Sequence, residues 1–90
     1  SYVIKRSGEY EPFAPYKIKE AIRLAFESVQ QNPDEALFGK VLEKLRHNTT
    51  WAVEDIQDII EKTLFERGHF EVMRSFMKYR HTRKLLDRFM

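Results

Sequence analysis

The sequence predicts an α+β fold, mainly α, in which an N-terminal β-hairpin caps a four-helix bundle. Two short segments rich in β-branched and aromatic residues, separated by Ser7-Gly8, predict the hairpin. Four later segments in which apolar residues recur every three or four positions predict the helices. No Pro/Gly/Ser-rich stretch divides the 90 residues, so we expect one domain over residues 1–90. Strand-like residues directly after Ser1 and an end inside a charged helical pattern lead us to expect a fragment of a longer protein.

The hairpin is predicted to join residues 2–6 to residues 9–13 through a two-residue turn at Ser7-Gly8. Pro12 has no amide proton to donate to a neighbouring strand, which restricts the second strand to an edge of the sheet. A lone hairpin is marginally stable in water. We therefore expect it to lie across the ends of the helices as a cap.

The first two helices are separated by a break at residues 32–34, which read Asn-Pro-Asp. Helix one is predicted over residues 15–31, because Pro15 suits the first position of a helix. Helix two is predicted to end near His47-Asn48. Their apolar stripes are Ile18, Ile22, Phe26 and Val29, then Leu37, Val41, Leu42 and Leu45.

The last two helices follow Thr49-Thr50 and meet at Gly68, which is expected to close helix three. Helix four is predicted from His69 to about Arg88. The apolar stripes are Val53, Ile56, Ile59, Ile60 and Leu64, then Met73, Phe76 and Met77.

Composition excludes several classes of function. The chain has no cysteine, which excludes disulfides, thiolate zinc sites and cysteine nucleophiles within it. Its three histidines show no metal-ligand spacing and no nucleophile motif is present, so we expect neither a metal site nor autonomous catalysis. No apolar run approaches the ~20 residues that cross a bilayer. We expect a cytoplasmic protein without membrane contact.

The formal net charge is only +2, but the charge is unevenly distributed, with seven Lys or Arg against two acidic residues over residues 67–88, and two cations also lie next to the N-terminal turn. Lys5 and Arg6 precede the Ser-Gly turn, and Arg80 and Arg83 share one side of helix four. Cations beside a glycine turn and paired guanidinium groups both suit phosphate. The two ends are therefore expected to converge on one polyanion.

Each basic group also has a structural interpretation. Arg80 lies on the apolar stripe of helix four and needs an anionic partner, which is either a ligand or a carboxylate of helix three such as Glu54 or Glu61. Lys5 and Arg6 would otherwise form a solvated hairpin tip.

Lys17 opposes the dipole of helix one from its first turn, so it needs a ligand or a carboxylate nearby. Glu11, in the second strand, could orient Lys5, accept from a ribose hydroxyl or form a plain cross-strand ion pair. The sequence leaves these alternatives open.

The order of four motifs resembles the ATP-cone domain across nearly the whole chain. They are Val3-Ile4-Lys5-Arg6-x-Gly8, Phe13-x-x-x-Lys17-Ile18-x-x-Ala21-Ile22, the segment 53–61 and Tyr79-Arg80-x-x-Arg83. The resemblance implies a regulatory module that binds ATP or dATP with Mg²⁺, found mostly at the N-terminus of ribonucleotide reductase catalytic subunits and in a small bacterial repressor of reductase genes.

Carried over by position, the family's nucleotide-binding residues correspond to twelve positions of this chain. The resemblance implies that Ile18 and Ile22 adjoin the adenine and that Lys17 binds phosphate. The implied set is Val3, Lys5, Arg6, Glu11, Lys17, Ile18, Ile22, Val53, Gln57, Arg80, His81 and Arg83.

The chain departs from the family pattern at four positions. Ser7 and Ala14 stand where aspartate is common, and Ala52 stands where a Ser or Thr often caps helix three. Neither alanine can cap a helix with a side-chain oxygen, at a cost of roughly 1 kcal/mol each. Gln57 replaces a histidine seen in some reductases, which leaves the preference between ATP and dATP open.

The resemblance predicts an allosteric sensor of ATP and dATP that regulates a reductase, and thus DNA replication, through oligomerisation. Its expected partners are adenine nucleotide, the rest of the parent reductase chain and an oligomer partner. One alternative is the ATP-cone of a nucleotide-responsive repressor. The other is a domain whose basic fourth helix contacts a protein or a nucleic-acid backbone, although the small net charge disfavours nucleic acid.

Overall fold

The computed structural model describes residues 1–82, and these form a small sheet packed against four helices. The predicted α+β, mainly α class is thereby confirmed. The elements are β1 (Tyr2–Ile4), β2 (Tyr10–Pro12), α1 (Pro15–Glu27), α2 (Glu35–Leu45), β3 (Thr50–Ala52), α3 (Val53–Glu66) and α4 (Phe70–Thr82).

The sheet contains a third strand that the sequence analysis did not predict. Its order is β2-β1-β3, with β1 antiparallel to β2 and parallel to β3. Val3 is paired with Glu11 on one side and with Trp51 on the other. Because β3 runs directly into α3, the sheet fixes where that helix begins. Pro12 lies in the edge strand β2, as predicted.

The turn between β1 and β2 is longer than the predicted two-residue turn at Ser7-Gly8. The amide of Gly8 donates to the carbonyl of Lys5 at 2.9 Å, and the amide of Lys5 donates to the carbonyl of Glu9 at 2.8 Å. Arg6 and Ser7 are therefore the central residues of a β-turn, and Gly8 follows with a left-handed φ of 90°. This geometry places Arg6 at the centre of the turn.

Helix α1 ends earlier than the predicted residue 31. Gln30 adopts a left-handed φ of 55°, its amide donates to Glu27, and the amide of Gln31 donates to Phe26. These two backbone bonds form a Schellman motif, which terminates a helix. The motif normally has glycine at the left-handed position. The glutamine at this position therefore does not indicate a helix end in the sequence.

The other helix ends agree more closely with expectation. Gly68 closes α3 with a φ of 79°, as predicted, and the amide of His69 donates back to Leu64 at 2.9 Å. Helix α4 is described as far as Thr82. The part of the predicted fourth helix from residue 83 to residue 88 lies outside the described residues.

The core lies where the inner face of the sheet meets the helices. Val3 of β1 and Trp51 of β3 point into it, and the ring of Phe13 lies 5.1 Å from that of Trp51. All four helices contribute fully buried side chains, among them Phe26, Leu37, Ile56, Ile60 and Phe76. None of the helices in the described region is long and apolar enough to cross a membrane.

Candidate functional site

A single carboxylate, that of Glu54 in the first turn of α3, joins two arginines from distant parts of the chain. Arg6 Nε lies 2.9 Å from Oε1 of Glu54, and Arg80 Nη2 lies 2.7 Å from Oε2. Arg6 comes from the β1–β2 turn and Arg80 from α4. The predicted convergence of the two basic ends is therefore present for this pair of arginines. We call Arg6, Glu54 and Arg80 the Glu54 junction.

Gln57 provides a second contact for Arg6 of the Glu54 junction. Its side chain is buried, and its Oε1 accepts a hydrogen bond of 3.1 Å from Arg6 Nη2. Glu54 and Gln57 are three residues apart, which places them on the same face of α3. The guanidinium of Arg6 is thus held by an ionised group and by a neutral buried group.

Arg80 contacts a longer acidic face of α3. Its Nη1 donates to Asp58 Oδ1 at 2.7 Å and also donates to Glu61. Glu54, Asp58 and Glu61 are spaced i, i+4 and i+7, so their side chains lie on one face of the helix. The two carboxylates of helix three that the sequence analysis names as possible partners of Arg80, Glu54 and Glu61, are therefore both in contact with it.

The charges of the Glu54 junction are stabilised by these contacts. Hydrogen bonding to Arg80 lowers the pKa of the Glu54 carboxyl despite partial burial, and the charges of Arg80 and Arg6 lower it further. Burial acts to lower the pKa of Arg80, but hydrogen bonds to Glu54, Asp58 and Glu61 outweigh it and raise that pKa. At neutral pH the junction therefore consists of two cations and an anion.

Lys17 and Glu11 form a second basic contact on the other side of β1. Lys17 Nζ donates to Glu11 Oε1 at 3.2 Å. This ion pair supplies the carboxylate that the position of Lys17 in the first turn of α1 requires. Lys5 is partly buried, and none of the described residues forms an ion pair with its ammonium group. Lys5 is therefore a cation that the described fold does not neutralise.

The apolar residues of the predicted site belong to the core. Val3, Ile18, Ile22 and Val53 are all buried, and Ile18 has no exposed surface. They form the hydrophobic support beneath the sheet and α3. Adjacency of Ile18 and Ile22 to an adenine ring stays a prediction, and direct contact with Ile18 would require the fold to open.

A cavity of about 600 Å³ lies between α1 and the start of α2. Of the predicted site residues whose side chains the structure describes, Ile22 alone lines it, together with residues that include Tyr16, Lys19, Pro33 and Phe38. Because Lys5, Arg6, Lys17 and Arg80 do not line it, the cavity and the Glu54 junction are separate features.

Two predicted site residues cannot be placed in the same detail. Arg83 lies outside the described residues, and His81 is described only as a member of α4. Residues 1–82 contain no group of three or more His, Cys, Asp or Glu side chains able to hold a metal ion.

Sequence reasoning did not assign Glu54 or Asp58 to the site. The sequence analysis names Glu54 as a possible partner of Arg80 but does not predict its contact with Arg6. The i, i+4, i+7 spacing of Glu54, Asp58 and Glu61 was the available signal, because it indicates an acidic stripe on one helix face.

Comparison with known proteins identifies the family of this chain. A family model described as the ATP cone domain matches residues 1–85. The chain belongs to the ATP-cone family. The resemblance carried by the four sequence motifs is thereby confirmed, and membership supports a role as a nucleotide-binding regulatory domain.

The relatives of this ATP-cone are reductase chains. It is 38% identical to the ribonucleoside-diphosphate reductase subunit alpha of Treponema pallidum, over 91% of this chain and 11% of that protein. It is 33% identical to the vitamin B12-dependent ribonucleoside-diphosphate reductase of Thermoplasma acidophilum, over 93% of this chain and 12% of that protein. The subunit alpha of Chlamydia trachomatis is 26% identical over 91% of this chain and 9% of that protein. The ATP-cone therefore spans about a tenth of these relatives.

Proposed function

We propose that this ATP-cone binds ATP or dATP as an allosteric effector and regulates a cytoplasmic ribonucleotide reductase of which it is a part. The observation that carries the proposal is the meeting of Arg6 and Arg80 at one anionic group. Two guanidinium groups from opposite ends of the chain form a site that an anion completes. Membership in the ATP-cone family supports the choice of an adenine nucleotide as that anion.

The Glu54 junction has the chemistry that a phosphate group requires. Each carboxylate oxygen of Glu54 faces a different arginine, and a phosphate group offers the same arrangement of neighbouring anionic oxygens. Arg6 and Arg80 would hold phosphate oxygens, and Lys5 would add a third positive charge from the same turn as Arg6. Lys17 would contribute if it exchanged Glu11 for the ligand.

Magnesium would accompany the nucleotide on its phosphates. The described residues offer no three-ligand cluster for a metal, so phosphate oxygens and water would supply most of its ligands. Such an ion neutralises part of the phosphate charge that the arginines do not reach.

Regulation would follow from differential binding to two states of the parent chain. A nucleotide held by both Arg6 and Arg80 links the β1–β2 turn to α4. It therefore stabilises the state of the parent chain in which the turn and α4 lie close together. A coupling free energy of about 1 to 3 kcal/mol, usual for allostery, would alter which oligomer partner the helices accept. Discrimination between ATP and dATP would rest on a polar contact near the sugar, for which Glu11 and Gln57 are candidates.

The basic-helix alternative receives less support. Arg80, a cation of α4 that this alternative needs, is directed onto three carboxylates of α3. A helix that contacts a nucleic-acid backbone presents its cations to solvent, and its affinity falls steeply with salt.

Thermal unfolding with ATP, dATP and GTP, each with magnesium, tests the proposal. A ligand at ~100 times its dissociation constant stabilises a protein by about 2.7 kcal/mol, which raises Tm by several degrees at this size. We expect ATP or dATP to raise Tm and GTP to do so less. An equal response to GTP would contradict adenine recognition, and no heat of binding for ATP or dATP in isothermal titration would contradict the proposal as a whole.

The regulatory part requires the parent reductase. We expect sedimentation of the full-length chain to show a change of oligomeric state on exchange of ATP for dATP. The same oligomer with both nucleotides would leave binding intact and contradict regulation through assembly.

A further inference from the structure

We propose that Glu54 is a built-in counter-anion, which occupies Arg6 and Arg80 until a phosphate group replaces it and thereby limits nucleotide affinity. This inference rests on the proposed function, because it concerns the same arginines. It assigns to Glu54 a role opposite to that of a ligand-binding residue. The carboxylate competes with the nucleotide for the site.

The exposures of the three side chains favour replacement. Glu54 is 49% exposed, whereas Arg6 and Arg80 are 19% and 18% exposed. The carboxylate therefore lies on the solvent side of the junction and the guanidinium groups lie beneath it. An anion arriving from solvent meets Glu54 first, and Glu54 can rotate into water without uncovering the core.

The remaining contacts keep the arginines in place when Glu54 leaves. Arg80 retains Asp58 and the less exposed Glu61, and Arg6 retains the hydrogen bond to buried Gln57. Rotation of Glu54 into water would thus remove one negative charge from between the two guanidinium groups, while their other partners on α3 still position them. A phosphate group with more negative charge would then bind where the carboxylate had been.

Glu54→Gln tests the inference, because it keeps the size of the side chain and removes its charge. We expect the affinity for ATP to rise about 3- to 10-fold, because the variant removes both the weak ion pairs that a phosphate group must replace and the repulsion between the displaced carboxylate and that phosphate group. Asp55→Asn is the matched control. Asp55 is exposed in the same first turn of α3, and none of the described residues forms an ion pair with it.

Dissociation constants would be measured at about 0.15 M salt, where exposed charges are screened within about 8 Å, for wild type, Glu54→Gln and Asp55→Asn, with ATP and separately with inorganic tripolyphosphate. Tripolyphosphate carries the charge of the phosphate chain without the nucleoside. Both probes are expected to bind Glu54→Gln more tightly than wild type. Asp55→Asn is expected to stay within about twofold of wild type, because salt screens an exposed charge that pairs with neither arginine.

The outcomes separate the inference from the proposed function. If ATP binds wild type but binds Glu54→Gln equally or more weakly, Glu54 positions the arginines and the inference is overturned while the proposed function stands. If ATP binds neither protein but tripolyphosphate binds Glu54→Gln more tightly, the proposed function is wrong, and so is the claim that Glu54 limits nucleotide affinity, while competition between Glu54 and phosphate is supported. Failure of both probes to bind any variant overturns both.

Glu54→Asp provides a second variant if Glu54→Gln does not fold. Aspartate keeps the negative charge that favours the start of α3, but its shorter side chain cannot bridge both arginines as glutamate does. We expect a smaller gain in ATP affinity than for Glu54→Gln. Affinity equal to that of wild type in a folded Glu54→Asp protein would count against the counter-anion.

Discussion

Two carboxylates of this ATP-cone each bridge two basic side chains, and they differ in what surrounds them. Asp34 accepts from Arg67 Nε at 2.5 Å and lies 2.8 Å from His69 Nε2, which joins the start of α2 to the turn between α3 and α4. Glu54 bridges Arg6 and Arg80. Asp34 is 15% exposed and Glu54 is 49% exposed. We call Asp34, Arg67 and His69 the Asp34 junction.

The surroundings indicate different roles for similar chemistry. Asp34 also caps α2, because its Oδ1 accepts from the amide of Ala36 at 3.1 Å. The ring of His69 packs edge-on against buried Phe26 with 5.0 Å between centroids, so the Asp34 junction is continuous with the core. Among the described residues, Glu54 has neither a capping role nor a core neighbour of this kind. The comparison indicates that burial, more than the number of ion pairs, distinguishes a junction that stabilises the fold from one whose carboxylate a ligand can replace.

The largest difference between the junctions should appear in nucleotide binding. We expect Arg80→Ala to weaken ATP binding about 10- to 100-fold, since a charge-assisted hydrogen bond contributes about 1.5 to 3 kcal/mol. Arg67→Ala is the matched control, because it removes an arginine from the Asp34 junction. Isothermal titration well below Tm would measure both.

Arg67→Ala should keep an affinity within about twofold of wild type and lose stability instead, because its ion pair is distant from the ligand. If Arg67→Ala weakened ATP binding as much as Arg80→Ala does, the assignment of one junction to binding and the other to structure would be wrong.

The Asp34 junction should dominate stability at neutral pH. We expect Asp34→Asn to lower the free energy of unfolding by about 1 to 2 kcal/mol, because asparagine still caps a helix but cannot pair with Arg67. Asp34→Ala should cost about 1 kcal/mol more, since the cap is lost as well. Urea unfolding of the three proteins would separate the ion pairs from the cap.

The effect of Asp34 should depend on pH in a defined direction. Hydrogen bonding to Arg67, and then to His69 and Ala36, outweighs burial and holds the pKa of Asp34 well below its ordinary value of 3.8. A carboxyl whose pKa is lower in the folded state contributes stability above its unfolded pKa and loses it as pH falls towards the folded value. The gap between wild type and Asp34→Asn should therefore be constant near pH 7 and narrow below about pH 4. A gap that does not narrow in acid would show that packing, not charge, is its cause.

Much of the fold was predictable because its signals are local. Four amphipathic helices and the edge position of Pro12 can be read within a few neighbouring residues, and the structure has them. The predicted stripes differ in detail, because Val29 lies beyond the end of α1, and in α4 Met77 is 39% exposed while Val72 is buried. Strand β3 was not predicted, because Thr50–Ala52 has only three residues and pairs in parallel with β1, far away in the sequence. Parallel pairing leaves no short-range turn signal.

The candidate site was predictable only in part. The sequence showed which cations to consider, and the motif order indicated a family, but neither showed which carboxylate lies between Arg6 and Arg80. That depends on how α3 is rotated about its axis relative to the β1–β2 turn and α4. The rotation is set by the core packing of residues such as Ile56 and Ile60, and by β3, which leads into the helix.

The starts of α2 and α3 extend the comparison to smaller effects. Asp34 caps α2 with its side chain, whereas Ala52 precedes α3 and provides no side-chain cap. We expect Ala52→Ser to raise the free energy of unfolding by about 0.5 to 1 kcal/mol, the usual gain from such a cap. Thermal unfolding would measure it, with Ala52→Val as a control, because valine is as poor an N-cap residue as alanine. No gain from serine would indicate that strand β3 holds Ala52 in a conformation from which its side chain cannot reach the amides of α3.

The smallest change should come from Glu54 itself when no nucleotide is present. We expect Glu54→Gln to change the free energy of unfolding by less than about 0.5 kcal/mol, because a half-exposed ion pair is well solvated and Arg80 keeps Asp58 and Glu61. Urea unfolding beside Asp34→Asn provides the measurement. A cost for Glu54→Gln as large as that for Asp34→Asn would mean that the fold depends on both junctions equally. Glu54 could not then leave the arginines at little cost, and a phosphate group would have to overcome the stability of the fold as well as the charge of one carboxylate.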